Sequence, residues 1–171
     1  MRLLCMPLCV GMLLATALAS EPAVSVWDGS TAATAYESGD GTEASPYEIV
    51  TVEQFAYFAG QINAGVGADA YYILTSELDM RAASWYPIGC TWDEYRADQY
   101  FYGNLNGNGH CVTYKIDIPI DITAQTVYSN CGIGLFGISE GAISNLCVDG
   151  TITMRKRDNL SYYGGVCGLY A

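Results

Sequence analysis

The sequence predicts an all-β solenoid carrying one short N-terminal capping α-helix, and three observations predict it. A glycine-punctuated unit of 21 residues, Gly132–Ile152 (GIGLFGISEGAISNLCVDGTI), has weaker copies at Phe101–Val112 and Tyr163–Leu169, the scale of one unit of a repeat architecture. Tyr, Ile, Val and Thr are abundant and charge is sparse, which favours ordered strands over disorder. One segment alone has clear helical periodicity. It precedes the strand-rich part, where a helix would shield unpaired strand edges.

The first residues read as an address. Arg2 is a short positive region, Leu3 to Leu18 is almost wholly apolar, and Ala17-Leu18-Ala19 is a small-x-small cleavage site. This predicts a signal peptide over 1–19 and a mature chain from Ser20 that is secreted or displayed at the cell surface. The run is short for a membrane span and Pro7 interrupts it, so no transmembrane segment is expected in the mature chain. What remains, about 150 residues, suffices for one domain with a core. It holds six basic against 18 acidic residues, a net charge of −12 with the histidine neutral. Such a chain repels nucleic acid and anionic lipid, and neither is an expected partner. Its one basic run, Arg155-Lys156-Arg157, reads as a solvated turn or strand end.

Segment 20–46 is polar and small, with Trp27 as its apolar anchor and a turn-rich run at Ser38-Gly39-Asp40-Gly41-Thr42. Glu37, Asp40, Glu43 and Glu48 lack the alternating spacing of a Ca²⁺ loop and read as solvated. The solenoid domain is placed at 47–171. Tyr47–Val50 is a short strand, and Thr51 with Gln54 forms a capping-box signature for a helix over about 51–64. Val52, Phe55, Ala56, Ala59 and Ile62 give that helix one apolar stripe, and Gly65 supplies its stop. Tyr72–Thr75 begins a strand that Leu78 and Met80 continue. Ile116 to Ile122 alternates strictly, and Pro119 within it marks an edge or outlying strand. Ala142–Val148 and Thr151–Met154 are strands separated by Asp149-Gly150, a turn pair that also suits an antiparallel hairpin. The repeat that opens just before Ala171 has no capping residues after it, so the domain is expected to continue in a longer protein.

Five cysteines remain after processing: Cys90, Cys111, Cys131, Cys147 and Cys167. None forms a Cys-x-x-Cys pair, which argues against a zinc knuckle or redox pair. Spacings of 21, 20, 16 and 20 residues place some at equivalent positions of successive repeats. Free, buried thiols are expected in preference to disulfides, since nothing in the sequence fixes a pairing.

Taken in order, Gly41–Ile49, the 51–65 helix, Leu78-Asp79-Met80, Trp85–Gly89, Phe101–His110, Gly134–Gly137 and Ile143–Leu146 resemble the opening of the GLUG-repeat proteins, which are bacterial exported proteins. The resemblance covers the chain from about Gly41 onward. It implies a right-handed parallel β-helix of the pectate-lyase-like kind, forming the N-terminal part of a large adhesin-like surface protein. Repeats of this type also accompany metallopeptidases that cleave immunoglobulin A. That chemistry needs a His-Glu-x-x-His zinc motif, and this chain has one histidine.

Three candidate sites follow. His110 beside Cys111 suggests nucleophile or metal chemistry, but no second histidine or paired ligand accompanies it, and a structural turn is the better reading. Asp117 and Asp121 share a strand face but would stand about 13 Å apart at ~3.3 Å per residue, beyond the roughly 5–10 Å of glycosidase carboxylate pairs. The polar excursion between Trp92 and Tyr102 carries Trp92, Tyr95, Tyr100 and Tyr102, aromatic residues suited to stacking on sugars or partner proteins. No catalytic residue, cofactor or metal is expected. The reading is a secreted or cell-surface module, non-enzymatic, for adhesion, display or binding of a surface glycan or protein. The alternatives are a fragment of a polysaccharide lyase or glycosidase, or the stalk of a surface metallopeptidase.

Overall fold

The computed structural model describes residues 24–90, 99–118, 132–154 and 167–170. Their strands are β1 (Ser25–Val26), β2 (Tyr47–Ile49), β3 (Tyr71–Leu74), β4 (Leu78–Asp79), β5 (Asn104–Asn106), β6 (Cys111–Ile118), β7 (Phe136–Ser139), β8 (Ala142–Ser144), β9 (Cys147–Met154) and β10 (Cys167–Tyr170). One helix, α1 (Val52–Asn63), lies between β2 and β3. The strands form three sheets in the orders β1-β4-β6-β9, β2-β3-β5-β8 and β10-β7, and every pairing among them is parallel.

This arrangement corrects the expected all-β right-handed parallel β-helix with a capping helix. Among the described residues the sheets are separate and open, none closes or curls, and with α1 they make an α/β fold. The helix is also no cap. Val52, Phe55, Phe58 and Ile62 are fully buried, and Phe58 meets Tyr72, Phe101 and Phe136 with ring centroids 4.6, 5.8 and 6.4 Å away. Phe55 stacks on Trp85 at 5.5 Å. Aromatic side chains of the helix are thus part of the core, which strands alone do not make.

Local chemistry fixes the helix ends. The Thr51 hydroxyl accepts from the Gln54 backbone N–H at 3.3 Å, while Gln54 Oε1 accepts from the backbone of Thr51 and Val50 at 3.2 and 2.8 Å, completing the capping box. At the other end Val66 N–H bonds the Gln61 carbonyl and Gly65 N–H the Ile62 carbonyl, with Gly65 at φ 76°. That is the left-handed stop in which glycine carries no Cβ penalty.

Strand alternation fixes the faces. Val112, Tyr114 and Ile116 of β6 are buried, whereas Asp117 is exposed. Strand β6 pairs along its whole length with β9 but with β4 only at Val112 and Thr113, so Ile116–Ile118 has a strand partner on one side; Pro119 and Asp121 lie outside the described residues. Leu78 does not continue β3 but opens β4, in a different sheet. Asp149-Gly150 makes no hairpin. Strand β9 runs straight through it, parallel to β6, with Gly150 opposite Tyr114. A Cβ on Gly150 would lie 2.4 Å from Tyr114 Cε1. The aromatic ring occupies the space that a side chain there would need, so the glycine answers to packing and not to a turn.

The sequence repeats reappear as register. Phe136 pairs with Cys167 and Ile138 with Leu169, the same 31-residue offset that aligns Gly134–Ile138 with Gly165–Leu169 in the sequence. Asn106 pairs with Ser144, and Cys111 with Cys147. Five steps of chain separate the first members of these two pairs and three separate the second. The surplus is taken up at an exposed corner where Asn108 has φ 52° and Gly109 φ 83°. There Asn106 Oδ1 accepts from the Asn108 backbone and from Asn145 Nδ2, tying the two corners together.

The paired Cys111 and Cys147 form a disulfide, and Cys90 is also disulfide-bonded. This corrects the expectation of free thiols. The equivalent positions that their spacing suggests bring two sulfurs face to face on neighbouring strands.

Candidate functional site

Four tyrosines from four segments meet beside α1. The N-terminal segment runs along the outer side of β2 through Glu37 N–H to the Glu48 carbonyl and Glu48 N–H to the Ser38 carbonyl, both 3.1 Å. Those bonds set Tyr36 on Tyr47, stacked with centroids 4.5 Å apart. Tyr57 projects from α1 to within 5.1 Å of Tyr36, and Tyr72 of β3 lies 5.7 Å from Tyr36 and 5.6 Å from Tyr47. With Glu37, Ser38 and Gln61 at its rim, this wall borders an open cleft of about 500 Å³.

The wall is held from behind. Tyr72 is buried and donates its hydroxyl to the Gly67 carbonyl at 2.6 Å. Burial pushes the Tyr72 hydroxyl up to about 12, and burial raises Tyr36 further still. Both remain neutral hydroxyls across the physiological range. Gln54 Nε2 reaches Glu37 Oε2 at 3.3 Å, so the side chain that caps α1 also positions the carboxylate at the rim. Among the described residues Glu37 is the one carboxylate lining the cleft. The arrangement offers stacking faces and hydrogen-bonding groups, with no second carboxylate for paired acid–base work.

A second concavity of about 150 Å³ lies on the β2-β3-β5-β8 sheet. Two register rows, Tyr71–Asn104–Ala142 and Ile73–Asn106–Ser144, form its floor.

Of the aromatic residues singled out by sequence, Trp92 and Tyr95 lie outside the described residues. Tyr100 is buried, while Tyr102 is 37% exposed, and their centroids are 6.3 Å apart. They do not join the tyrosine wall. His110 Nδ1 lies 3.4 Å from Glu77 Oε1, and Glu77 Oε2 accepts the Cys111 backbone N–H at 2.7 Å. Because the Cys111 sulfur is in a disulfide, it supplies no thiolate beside His110. Asp117 takes part in a backbone exchange with Ser84 and stands 3.9 Å from Lys115 Nζ. Among the described residues no three His, Cys, Asp or Glu side chains cluster as a metal site. None of their helices is long and apolar enough to cross a membrane.

Sequence reading missed the tyrosine wall because its members are 10 to 36 residues apart and all four sit in segments assigned to loop, strand or helix for other reasons. The available signal was Tyr57: it lies off the apolar stripe of α1, where a helix facing water would ordinarily carry a polar residue.

The fold and cleft together define a parallel-sheet α/β module with an aromatic-walled concavity. No family model matches the chain. It is similar to halomucin of Haloquadratum walsbyi, 29% identical over 171 residues, an alignment that takes in 82% of this chain and 2% of halomucin. The chain therefore spans about 2% of the length of that curated relative. No solved structure matches it.

Proposed function

We propose that this chain is a secreted or cell-surface module that works by binding, within a protein used for adhesion or display. The observation that carries this reading is the tyrosine wall with its polar rim, a built concavity that presents contact area and hydrogen-bonding groups without a catalytic constellation. The signal-peptide pattern at 1–19 supports export, and a cross-strand disulfide suits an oxidising compartment. The GLUG-repeat resemblance supports a surface setting. Similarity to a short stretch of halomucin fits a module used inside a much larger polypeptide.

Two measurements test it. The full chain is expressed with its leader and followed by fractionation and N-terminal mass spectrometry. Recovery from the surface or medium, beginning at Ser20, is expected; an unprocessed chain with reduced thiols in the cytoplasm would sink the export reading. The mature chain is then screened on arrays of glycans and surface proteins, alongside Trp92→Ala. Retention of at least one ligand is expected, and a blank array refutes binding as the function.

A further inference from the structure

We propose that the tyrosine cleft is a carbohydrate site that takes a neutral hexopyranose unit, its apolar face lying against the aromatic lining of the cleft, Tyr57 first among its rings, and its hydroxyls meeting Glu37 and Gln61. This deepens the binding reading and rests on it.

Geometry chooses among the ligands that aromatic walls serve. A cage for a quaternary ammonium must keep the cation within about 6 Å of several ring faces at once. Here Tyr36 and Tyr47 are 4.5 Å apart and Tyr36 and Tyr57 5.1 Å. Rings that close already touch one another and leave no interior for a cation. They form a packed cluster, Tyr36 stacked on Tyr47 at 26° and Tyr57 tilted 60° to Tyr36, which borders the cleft without enclosing it; the ligand surface that complements an open aromatic border is itself apolar. The C–H face of a pyranose is such a surface, and its edge bears hydroxyls that both donate and accept.

The rim matches that edge. Glu37 contributes a carboxylate acceptor, and Gln61 an amide that donates and accepts. Charge then narrows the sugar. The chain carries a net charge of −11 before processing, and among the described residues the one ionisable lining side chain other than the tyrosines is the acidic Glu37. Uronic acids and sulfated sugars would meet repulsion from both. A cleft of about 500 Å³ falls inside the usual 300–1,000 Å³ range for small-ligand sites. The wall is preorganised, since Tyr72 is anchored to Gly67 and Glu37 to Gln54, so little ordering cost attends binding.

The experiment uses the mature full chain on an array of gluco-, manno- and galacto-oligosaccharides beside oligouronates, sulfated oligosaccharides and choline-bearing beads. The best neutral oligosaccharide is then titrated by calorimetry against wild type, Tyr57→Ala, Tyr57→Phe, Gln61→Ala and Trp92→Ala, each checked for an unchanged thermal melt. Neutral oligosaccharides are expected to bind. Tyr57→Ala should weaken them about ten-fold and Gln61→Ala about three- to ten-fold, Tyr57→Phe should weaken them less than Tyr57→Ala because it keeps the ring, and Trp92→Ala should stay close to wild type. If Tyr57→Ala fails to fold, Gln61→Ala carries the test. Unchanged affinity in both variants overturns the site. Preference for uronates, sulfated sugars or choline overturns the ligand class. Loss of glycan binding in Trp92→Ala alone overturns the cleft and leaves the binding reading standing; no binding to any probe, glycan or protein, overturns both.

Discussion

Cys111 and Cys147 face each other as register partners on adjacent parallel strands and are joined through their sulfurs, with their Cα atoms 4.2 Å apart. The bond closes a loop of 36 residues. In the chain-entropy picture a loop of that length stabilises the folded state by about 3–4 kcal/mol. Cys111→Ser/Cys147→Ser should lower unfolding stability by up to that amount in urea titrations. Reducing agent should shift the wild-type midpoint and have less effect on the double variant. Coincident curves for wild type with and without reductant would refute a stabilising role.

Gly150→Ala tests the packing of Tyr114. The added Cβ would fall 2.4 Å from a ring that is fully buried, and the Tyr114 hydroxyl accepts a hydrogen bond from the Leu135 backbone. The ring cannot swing aside without giving up that bond. A loss of about 1–3 kcal/mol is expected by chemical denaturation. Pairing Gly150→Ala with Tyr114→Leu should recover part of it. A neutral Gly150→Ala would mean that the ring yields freely.

Alkali should act through Tyr72. Its folded-state value is raised to about 12 from an ordinary 10, chiefly by burial, so the neutral hydroxyl is favoured in the folded chain. Stability from this group is whole below pH 10, and it is lost as pH rises from there through about 12. Tyrosinate absorbance should lag behind that of a denatured control over this window. Tyr72→Phe should flatten the alkaline slope while costing about 1 kcal/mol at neutral pH for the lost bond to Gly67.

Thr51→Ala removes the hydroxyl that accepts from Gln54 N–H. The expected cost is about 1 kcal/mol. Gln54→Ala should cost more, because that side chain also accepts from Val50 and Thr51 and holds Glu37. Equal melts for the two variants would show that the reach to Glu37 adds nothing.

Elements set by neighbouring residues were legible in the sequence. The Thr51/Gln54 cap and the Gly65 stop depend on atoms within one turn, and both stand where the spacing puts them. Alternation in β6 was legible for the same reason. Phe58 was not included in the helix stripe, yet it is the ring on which Tyr72, Phe101 and Phe136 converge. Its importance comes from partners 14 to 78 residues away, which no local period reveals. The glycine repeats suggested a solenoid because their spacing is regular. Regular spacing encodes parallel register, as Phe136 opposite Cys167 demonstrates, but it does not state how sheets lie around a helix. Asp149-Gly150 misled as a turn because a glycine demanded by a ring across the strand looks the same in sequence as one demanded by a bend.

The corner at Asn108 and Gly109 has a practical side. It holds two more residues than its counterpart before Cys147, and the strands on both sides keep their partners. Length is therefore editable at that point without re-threading the sheets. A short epitope or fluorophore tag grafted between Asn108 and Gly109 would ride on the outside of the molecule and report on it, leaving the tyrosine wall undisturbed.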